Sequence, residues 1–561
     1  MYSRYVNLSQ KRLNQILSWG VGLETIFITP WFSYDPLNVS RMLLLLVLSS
    51  MILLIVLPEL KNAWSGNLKI TILLMGLFIF QLVLVLLVAP GNKWQQFFGT
   101  SGRQTGFLTY LALVIILIGA AIGSSSILLT YIFRALCVAG VLSIGYGIIQ
   151  AAGADPIGWT NPYSPVFGFF GNPNFQAAFM GFSAAAVSVF IIAKNIKILW
   201  RSLSLLYVIG ALYVINASKS QQGFLVYGFG LAVLILIFFY KLQNLRKFRF
   251  AILSGTLLGF LAVSLDILQK SPWQSFLYKP SVSYRGDYWR AGWKMTLDHP
   301  FFGVGLDSYR DWFYRSRDLV TASRPEAKKF TDSAHNVLLD FSANGGFPLL
   351  LIYGALLIIT LIAALRVLKR TEEINPYFVA IFVVWVGYTA QSLISINQIG
   401  LAIWGWLSAG LIIGYEANTR TPLEDSHKIK SKNIPKIHPA GIPLRMGAGL
   451  ILGLVLGLPA FLADANFRSS IDSRNIERIT ATAYKWPQDV VRMNYIASLF
   501  DQNKLPDKAL VIARDAVTYS PNSFLSWKII YDLSTTPASE KTHAFEMMKM
   551  LNPLDPDLVN R

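Results

Sequence analysis

A histidine and an arginine stand out in one polar stretch of the chain, because their side chains suit acid–base and anion chemistry. His335 lies in a Ser-Ala-His-Asn run, and Arg285 opens an Arg-Gly-Asp-Tyr-Trp run. An imidazole accepts a proton near neutral pH and can activate a hydroxyl group. A guanidinium forms paired hydrogen bonds with phosphate oxygens. The alternatives are a polar surface histidine and an arginine that pairs with Asp287 or with a lipid headgroup.

The rest of the chain is mostly apolar, and this composition argues against a soluble enzyme. Of its 561 residues, 54% are hydrophobic and 14% are charged, whereas a soluble domain usually carries about 25% charge. A membrane-spanning helix needs about 20 mostly apolar residues, and these runs lack the alternation of barrel strands. We therefore expect an all-α, polytopic membrane helix bundle of 12 or 13 spans. A weaker first span is predicted near 14–33. Twelve clear spans are predicted near 42–58, 68–89, 106–123, 126–150, 174–193, 198–216, 223–240, 249–269, 347–365, 376–396, 398–417 and 442–463.

The distribution of lysine and arginine predicts the orientation of these spans. With a cytoplasmic N-terminus, most basic residues of the short loops lie on the cytoplasmic side, as the positive-inside rule requires. This orientation places two polar segments outside, namely the long loop 270–346 and the C-terminal segment 464–561. We predict a membrane domain over 1–463 and an outer C-terminal domain over 464–561. The net charge of +19 is then explained by contact with membrane lipids, and no nucleic acid partner is expected.

The C-terminal segment has the pattern of a helical repeat. Residues 490–523 fit a 34-residue tetratricopeptide repeat, in which small residues let two helices approach closely and a proline ends the second helix. Fewer than three repeats are normally unstable alone, so we expect this piece to pack on the outer loop or on the membrane surface. It is either a docking surface for an acceptor or partner, or a structural cap. The matching residues are Ala497, Phe500, Ala509, Ala513, Ala516 and Pro521.

Three motifs of the outer loop, in this order, resemble the O-antigen ligase and O-antigen polymerase family of bacterial membrane glycosyltransferases. They are an R-x-x-x-W segment from Arg285, a P-x-x-G-V-G turn from Pro300 and an H-N-x-x-L segment from His335. The segments 98–106 and 170–174 resemble further motifs of this family. The resemblance covers roughly residues 40–420. Without it, the loop would also be compatible with an amphipathic segment held at the membrane surface.

The resemblance implies transfer of a glycan from a polyprenyl-pyrophosphate lipid to an acceptor hydroxyl on the periplasmic face of the bacterial inner membrane. The acceptor would be a glycan, a lipid or a protein, and direct displacement would invert the sugar carbon. The family requires no metal or other cofactor, and the outer loops of this chain contain no Asp-x-Asp pair. Ligase and polymerase are not separated by these motifs.

The resemblance also implies roles for individual residues. His335 would activate the acceptor hydroxyl, and Asn336 would orient it or cap the following helix. Arg285 would stabilise the departing diphosphate. Arg103 would bind pyrophosphate or anchor a helix end at the headgroups. Arg290 is a further pyrophosphate candidate, although on a helix it would point away from Arg285.

Three more candidates depart from the family pattern or lie at its edge. Many members carry an arginine just before Gly223, where this chain has Gln222. We expect Gln222 to contact or orient the acceptor. Lys219, one turn earlier, could replace that cation, but as a point charge rather than a planar fork. His299 precedes Pro300 and is either a turn residue or an acceptor contact.

Two other classes of function remain open at this stage. A transporter or lipid-linked glycan flippase would have many spans, but it should show intramembrane charges or two related halves. A membrane scaffold would recruit partners through its C-terminal repeat. In that case loss of 464–561 would abolish function, whereas a change of His335 would not.

Overall fold

The computed structural model describes residues 2–159, 164–241, 280–323, 330–371, 375–420 and 441–559, with the isolated positions 254–255, 258–259 and 373. Across these residues every regular element is a helix. Nine of the helices in the described part of the chain are long and apolar enough to cross a membrane. The predicted all-α membrane bundle is therefore confirmed in its class.

The helices of the described residues are numbered here in chain order. Those of the bundle are α1 Tyr2–Ile26, α2 Asn38–Val56, α3 Leu60–Ser65, α4 Lys69–Val88, α5 Lys93–Phe98, α6 Phe107–Gly123, α7 Ser126–Ala151, α8 Pro173–Ile192, α9 Ile198–Ala217, α10 Gln221–Lys241, α11 Pro280–Asp298, α12 Tyr309–Ser316, α13 Leu319–Ala322, α14 Val337–Arg370, α15 Pro376–Ser392, α16 Ile399–Asn418 and α17 Gly441–Ser473. The C-terminal helices are α18 Ile476–Ala483, α19 Val490–Gln502, α20 Pro506–Tyr519, α21 Phe524–Asp532, α22 Ala538–Leu551 and α23 Pro556–Val559.

Four of the thirteen predicted spans are not among these nine helices. The spans near 106–123 and 376–396 correspond to α6 and α15, which have 17 residues each. The weak span near 14–33 overlaps α1, which is too polar to count among the nine. The span near 249–269 falls almost entirely outside the described residues.

The segments that carry the predicted site residues meet at one end of the bundle, here called the site end. The loop before α6 reaches the turn before α12, since Thr100 N donates to Asp307 Oδ2 at 2.7 Å. The starts of α8 and α10 are joined by a 2.7 Å hydrogen bond from Ser220 Oγ to Asn174 Oδ1. Consecutive spans alternate in direction, so the starts of α6, α8, α10 and α14 are predicted to lie on one side of the membrane. The contacts among these segments agree with that prediction.

Helix α14 is two helical segments joined at Gly346, whose backbone has φ 74° and ψ 179°. The turn before α12 packs into this break. Phe347 N donates to Pro300 O at 2.7 Å, and Val304 N donates to Ala343 O at 2.8 Å. The break therefore fixes the N-terminal segment of α14, which leads out of the predicted loop, at a defined angle to the membrane-spanning part.

The C-terminal helices pack on loops of the site end. The ring of Trp486 lies 5.5 Å from the ring of Trp94 and 5.4 Å from that of Phe98. Ser101 N donates to Asp489 Oδ2 at 3.0 Å. The loop 270–346 is contacted as well, since Arg315 Nη2 donates to Asn522 Oδ1 at 3.0 Å. The outer placement of these segments and the assignment of a tetratricopeptide repeat stay predictions.

Candidate functional site

His335 lies in a tight turn just before α14. Its backbone has φ 53°, a left-handed conformation that is uncommon for residues other than glycine. Its Nδ1 atom is 3.3 Å from Ser333 O, so the ring can donate there and leave Nε2 free to accept a proton. A strained, half-buried histidine with one nitrogen engaged in this way fits the geometry of a general base.

Asp340, in the first turn of α14, holds this turn in place. Its carboxylate accepts hydrogen bonds from Ala334 N at 2.7 Å and from Ser333 Oγ at 3.0 Å. Ser333 Oγ in turn accepts from His335 N at 2.9 Å. The position of His335 is thus set by a chain of hydrogen bonds that begins on a helix.

The surroundings of His335 favour its neutral form. Burial lowers the pKa of His335, the nearby Arg285 lowers it further and Asp332 partly opposes them, with a resulting pKa of about 4. At neutral pH the ring is therefore uncharged and able to accept a proton.

Arg285 is a half-buried cation on α11 whose side chain makes few contacts. Its Nη2 lies 3.5 Å from Gln222 Oε1, which is the limit of a hydrogen bond. Burial lowers the pKa of Arg285 to about 10, so the guanidinium stays charged at neutral pH. Within the described residues no carboxylate forms an ion pair with it.

Three buried N–H donors near Arg285 lack acceptors among the described residues. They are Nε of Arg285, Nε2 of Gln222 and Nε1 of Trp289. Arg285 and Trp289 are four residues apart, which places them on one face of α11. A cation whose buried N–H donors are unused is well suited to hold an anion that the described residues do not supply.

Tyr288 connects this cation with the histidine turn. Its ring centroid lies 5.2 Å from that of His335. The backbone carbonyl of Tyr288 accepts a 2.6 Å hydrogen bond from Tyr309 Oη, a residue that is fully buried. Sequence reasoning assigned no role to Tyr288, although it lies inside the R-x-x-x-W motif.

Arg103 approaches the same site from the loop before α6. Its Nη1 lies 3.2 Å from Asp332 Oδ1, and the arginine side chain is 8% exposed. Burial would lower the pKa of Arg103, but the carboxylates of Asp332, Asp307 and Asp340 outweigh it and raise the pKa. Arg103 is therefore a firmly charged residue that already has a carboxylate partner.

Asp307 fixes the loop that carries Arg103. Besides Thr100 N, its carboxylate accepts Thr105 Oγ1 at 3.0 Å and Thr105 N at 3.3 Å. Sequence reasoning assigned no role to Asp307, Asp332 or Asp340, because nothing in their spacing marks which distant segment each carboxylate contacts. The proximity of Asp332 and Asp340 to His335 in the chain was the available signal.

Arg290 and Asn336, two further candidates, have their side chains engaged by neighbouring protein groups. Arg290 lies 2.5 Å from Asp287 Oδ1 and 2.7 Å from Asp318 Oδ2, so it is engaged in ion pairs. Asn336 caps α14, with Oδ1 accepting from the backbone N of Leu338 at 3.0 Å and of Leu339 at 3.2 Å.

Among the described residues, neither Lys219 nor His299 contacts the ring of His335. Lys219 is exposed, at a left-handed backbone position with φ 57°. The ring of His299 packs edge-on against Trp312, with centroids 4.6 Å apart. Across the described residues, no three His, Cys, Asp or Glu side chains are grouped as a metal site.

A cavity of about 1040 Å³ elsewhere in the bundle contains none of these candidates. It lies between α1, α7 and α9, and its lining includes Lys11, Arg134 and Tyr207. Its size alone does not connect it with the chemistry of His335 and Arg285. The histidine and arginine therefore define the candidate site by their geometry, not by the volume of a cavity.

Comparison with known families confirms the resemblance found in the sequence. Residues 206–354 match the family model described as O-antigen ligase. This range contains Arg285, His335 and Gln222, but not Arg103. The match is narrower than the roughly 40–420 over which the motifs resemble the family.

One curated relative supports the same assignment. A protein of Rickettsia conorii, named as a candidate polysaccharide ligase, is 25% identical over 230 residues. The alignment covers 40% of this chain and 53% of the relative. The chain thus spans about half the length of the curated relative that it matches.

Proposed function

We propose that the protein is a bacterial inner-membrane glycosyltransferase that moves a glycan from a polyprenyl-pyrophosphate lipid to an acceptor hydroxyl. The observation that carries the proposal is the neutral His335 near the half-buried Arg285, which has no ion-pair partner among the carboxylates of the described residues. One residue can accept a proton and the other can hold the anion that leaves. The match of this same segment to the O-antigen ligase family supports the assignment.

The diphosphate of the donor would bind at Arg285. Its oxygens would accept hydrogen bonds from the buried donors of Arg285, Gln222 and Trp289. Gln222 stands where many family members have an arginine, and as an amide it adds hydrogen bonds without charge. Arg103 acts on the pKa of His335, but because it is paired with Asp332 it would contribute its charge at longer range.

Transfer would proceed in one displacement. Nε2 of His335 takes the proton of the acceptor hydroxyl while that oxygen bonds to the anomeric carbon. The bond from this carbon to the diphosphate oxygen breaks, and the electron pair stays on the diphosphate next to Arg285. The products are the glycosylated acceptor and polyprenyl pyrophosphate, and attack from the opposite face inverts the sugar carbon.

The proposed orientation follows from the distribution of basic residues, with a cytoplasmic N-terminus and the site end in the periplasm. The donor would then reach the site sideways from the outer leaflet. Lys219, exposed at the start of α10, and Arg290, on α11, would attract the anionic headgroup without contacting the reacting atoms. His299 would take part only as an acceptor contact.

The direct test is glycan transfer by the purified protein with a lipid-linked glycan and an acceptor. His335→Ala should lower the rate at least about 100-fold, as expected for loss of a general base. Arg285→Ala should lower it about 100-fold or more, as expected for loss of charge stabilisation. Matched controls are His543→Ala in α22 and Lys294→Ala, an exposed residue on the same helix as Arg285, and both should stay near wild type.

Full activity of both His335→Ala and Arg285→Ala would refute this mechanism. Movement of the intact lipid-linked glycan across a vesicle membrane, without transfer, would favour a flippase. Loss of function on removal of 464–561 together with an unaffected His335→Ala variant would favour a scaffold. Labelling of a cysteine at position 335 from the cytoplasmic side would refute the proposed orientation.

A further inference from the structure

A cavity of about 420 Å³ lies between the segment around α12 and the C-terminal helices, and it is here called the outer cavity. One wall comes from α12 and Phe330, and the other from α19, α21, α22 and the residues after them. The two parts are held together by direct hydrogen bonds. Arg315 Nη2 donates to Asn522 Oδ1 at 3.0 Å, and Arg317 Nη2 donates to Asn552 Oδ1 at 2.9 Å.

Aromatic rings from both walls line the outer cavity. Tyr314 and Phe524 lie with ring centroids 5.1 Å apart, and Tyr531 and Phe545 lie 5.6 Å apart. Phe330 is 49% exposed, so its ring is available for contact. Aromatic faces with polar groups around them offer both the apolar surface and the hydrogen bonds that a sugar ring requires.

The charged residues of the outer cavity are mainly acidic. Its lining contains two cations, Arg310 and Lys528, and four carboxylates, which belong to Asp311, Asp532, Asp555 and Asp557. A surplus of carboxylates disfavours an anionic ligand and suits a neutral one whose hydroxyl groups donate hydrogen bonds. This separates the outer cavity from the cationic position at Arg285, which suits a diphosphate.

Arg310 links the outer cavity to the candidate site. Its guanidinium carbon lies 5.0 Å from the centroid of Phe330, inside the cavity. The charges of Arg103 and Arg310 lower the pKa of Asp332, against the effect of burial. Asp332 forms the ion pair with Arg103 and also acts on the pKa of His335. Asp332 lies two positions after Phe330 in the chain. It therefore connects the cavity wall at Phe330 with the turn that carries His335.

We propose that the outer cavity binds a neutral saccharide segment of the acceptor and holds its hydroxyl end toward His335. The inference rests on the proposed glycosyl transfer and adds the acceptor class and its location. A volume of about 420 Å³ lies within the range of small-molecule sites, about 300–1000 Å³. The donor diphosphate and the acceptor sugar would then approach His335 from two different sides.

The test uses the full chain in detergent and a pool of soluble oligosaccharides released from the envelope of the producing bacterium. Binding is measured by saturation-transfer NMR and titration. Tyr531→Ala and Phe330→Ala, one from each wall, should each weaken binding about tenfold or more. Tyr484→Ala is the matched control, because this tyrosine is 36% exposed and lies outside the cavity lining, and it should bind as wild type does.

Transfer kinetics separate this inference from the proposed function. Both cavity variants should raise the KM for the acceptor about tenfold and leave the KM for the lipid-linked donor unchanged. If the wild type binds oligosaccharides but transfers no glycan, and both variants lose this binding, saccharide binding in the outer cavity is supported and the proposed glycosyl transfer is refuted. Transfer with unchanged acceptor KM in both variants, or binding of unstructured peptides instead of oligosaccharides, would overturn the inference about the cavity.

Discussion

The carboxylate of Asp340 lies 3.0 Å from Ser333 Oγ, and this contact ties the turn of His335 to the first turn of α14. The hydroxyl also accepts from His335 N, so the contact sets the backbone on which the imidazole is carried. The turn is left-handed at His335 and would not be favoured by the local sequence alone. Asp340 is therefore a positioning residue, because it acts on His335 through Ser333.

The Asp340→Asn variant should lower kcat for transfer about tenfold or more and leave the KM for the donor nearly unchanged. The amide can replace only one of the two accepted hydrogen bonds, so the histidine is held less firmly. The measurement is steady-state transfer at varied donor concentration. Asp298→Asn, an exposed carboxylate that contacts Lys294, serves as the control. An equal rise of donor KM in both variants would argue against positioning.

The dependence of transfer on pH should report the state of His335. In the free protein its pKa is about 4, so kcat/KM for the donor should stay level from neutral pH down to about 5 and fall near 4. A bound diphosphate adds negative charge next to Arg285, which raises the pKa of His335. The acid limb of kcat should therefore lie at higher pH than that of kcat/KM. Coincident limbs would contradict the proposed position of the diphosphate.

The same shift in pKa has a consequence for stability. The pKa of His335 is lowered in the folded protein, from 6.5 to about 4. Between these values the unfolded chain binds more protons, so the free energy of unfolding decreases as the pH falls from 6.5 toward 4. His335→Ala should reduce this slope, and thermal unfolding between pH 4.5 and 7 would measure the difference.

Asn336 provides a test of capping against orientation of the histidine. Asn336→Ala should destabilise the protein by about 1 kcal/mol, because the first backbone N–H groups of α14 lose their acceptor. Asn336→Ser keeps an acceptor at the cap and should restore both stability and transfer. Activity that stays low in Asn336→Ser, at full stability, would show a direct contact with His335 or with substrate.

Gly346 should be intolerant of any side chain. A Cβ at this position would lie 2.5 Å from the carbonyl carbon of Phe301, and its backbone has φ 74°. Gly346→Ala should therefore destabilise the protein by about 2 kcal/mol or more. Gly354→Ala, eight residues later in the same helix, meets nothing within 4 Å, so thermal unfolding should show an unchanged or slightly higher stability.

The long apolar helices could be predicted from the sequence, and the two main candidate residues could be chosen from it, for separate reasons. Long apolar runs determine spanning helices almost on their own, because the membrane has no water to satisfy an irregular backbone. His335 and Arg285 could be selected because they lie in motifs with a fixed order. The length of α14 was not predicted, since its helix begins at Val337 and crosses the break at Gly346, whereas hydropathy alone placed the span at 347–365.

The contacts between distant segments could not be predicted in the same way. The sequence allows Arg285 to pair with Asp287, but in the structure Asp287 contacts Arg290. The ion pair of Arg103 with Asp332 joins residues 229 positions apart. Such pairings depend on which helices and loops pack side by side. No local pattern in a single sequence indicates which distant segments do so.

The seating of Trp486 on Trp94 and Phe98 bears on how the protein is made. A membrane protein is inserted in order from its first helix, so the segment 94–101 gains its contacts with Trp486 and Asp489 only after these late residues have been made. Until then the early loop is held without Asp489 and its aromatic partners. The loop that carries Arg103 would therefore reach its final packing only after the C-terminal helices have folded against it.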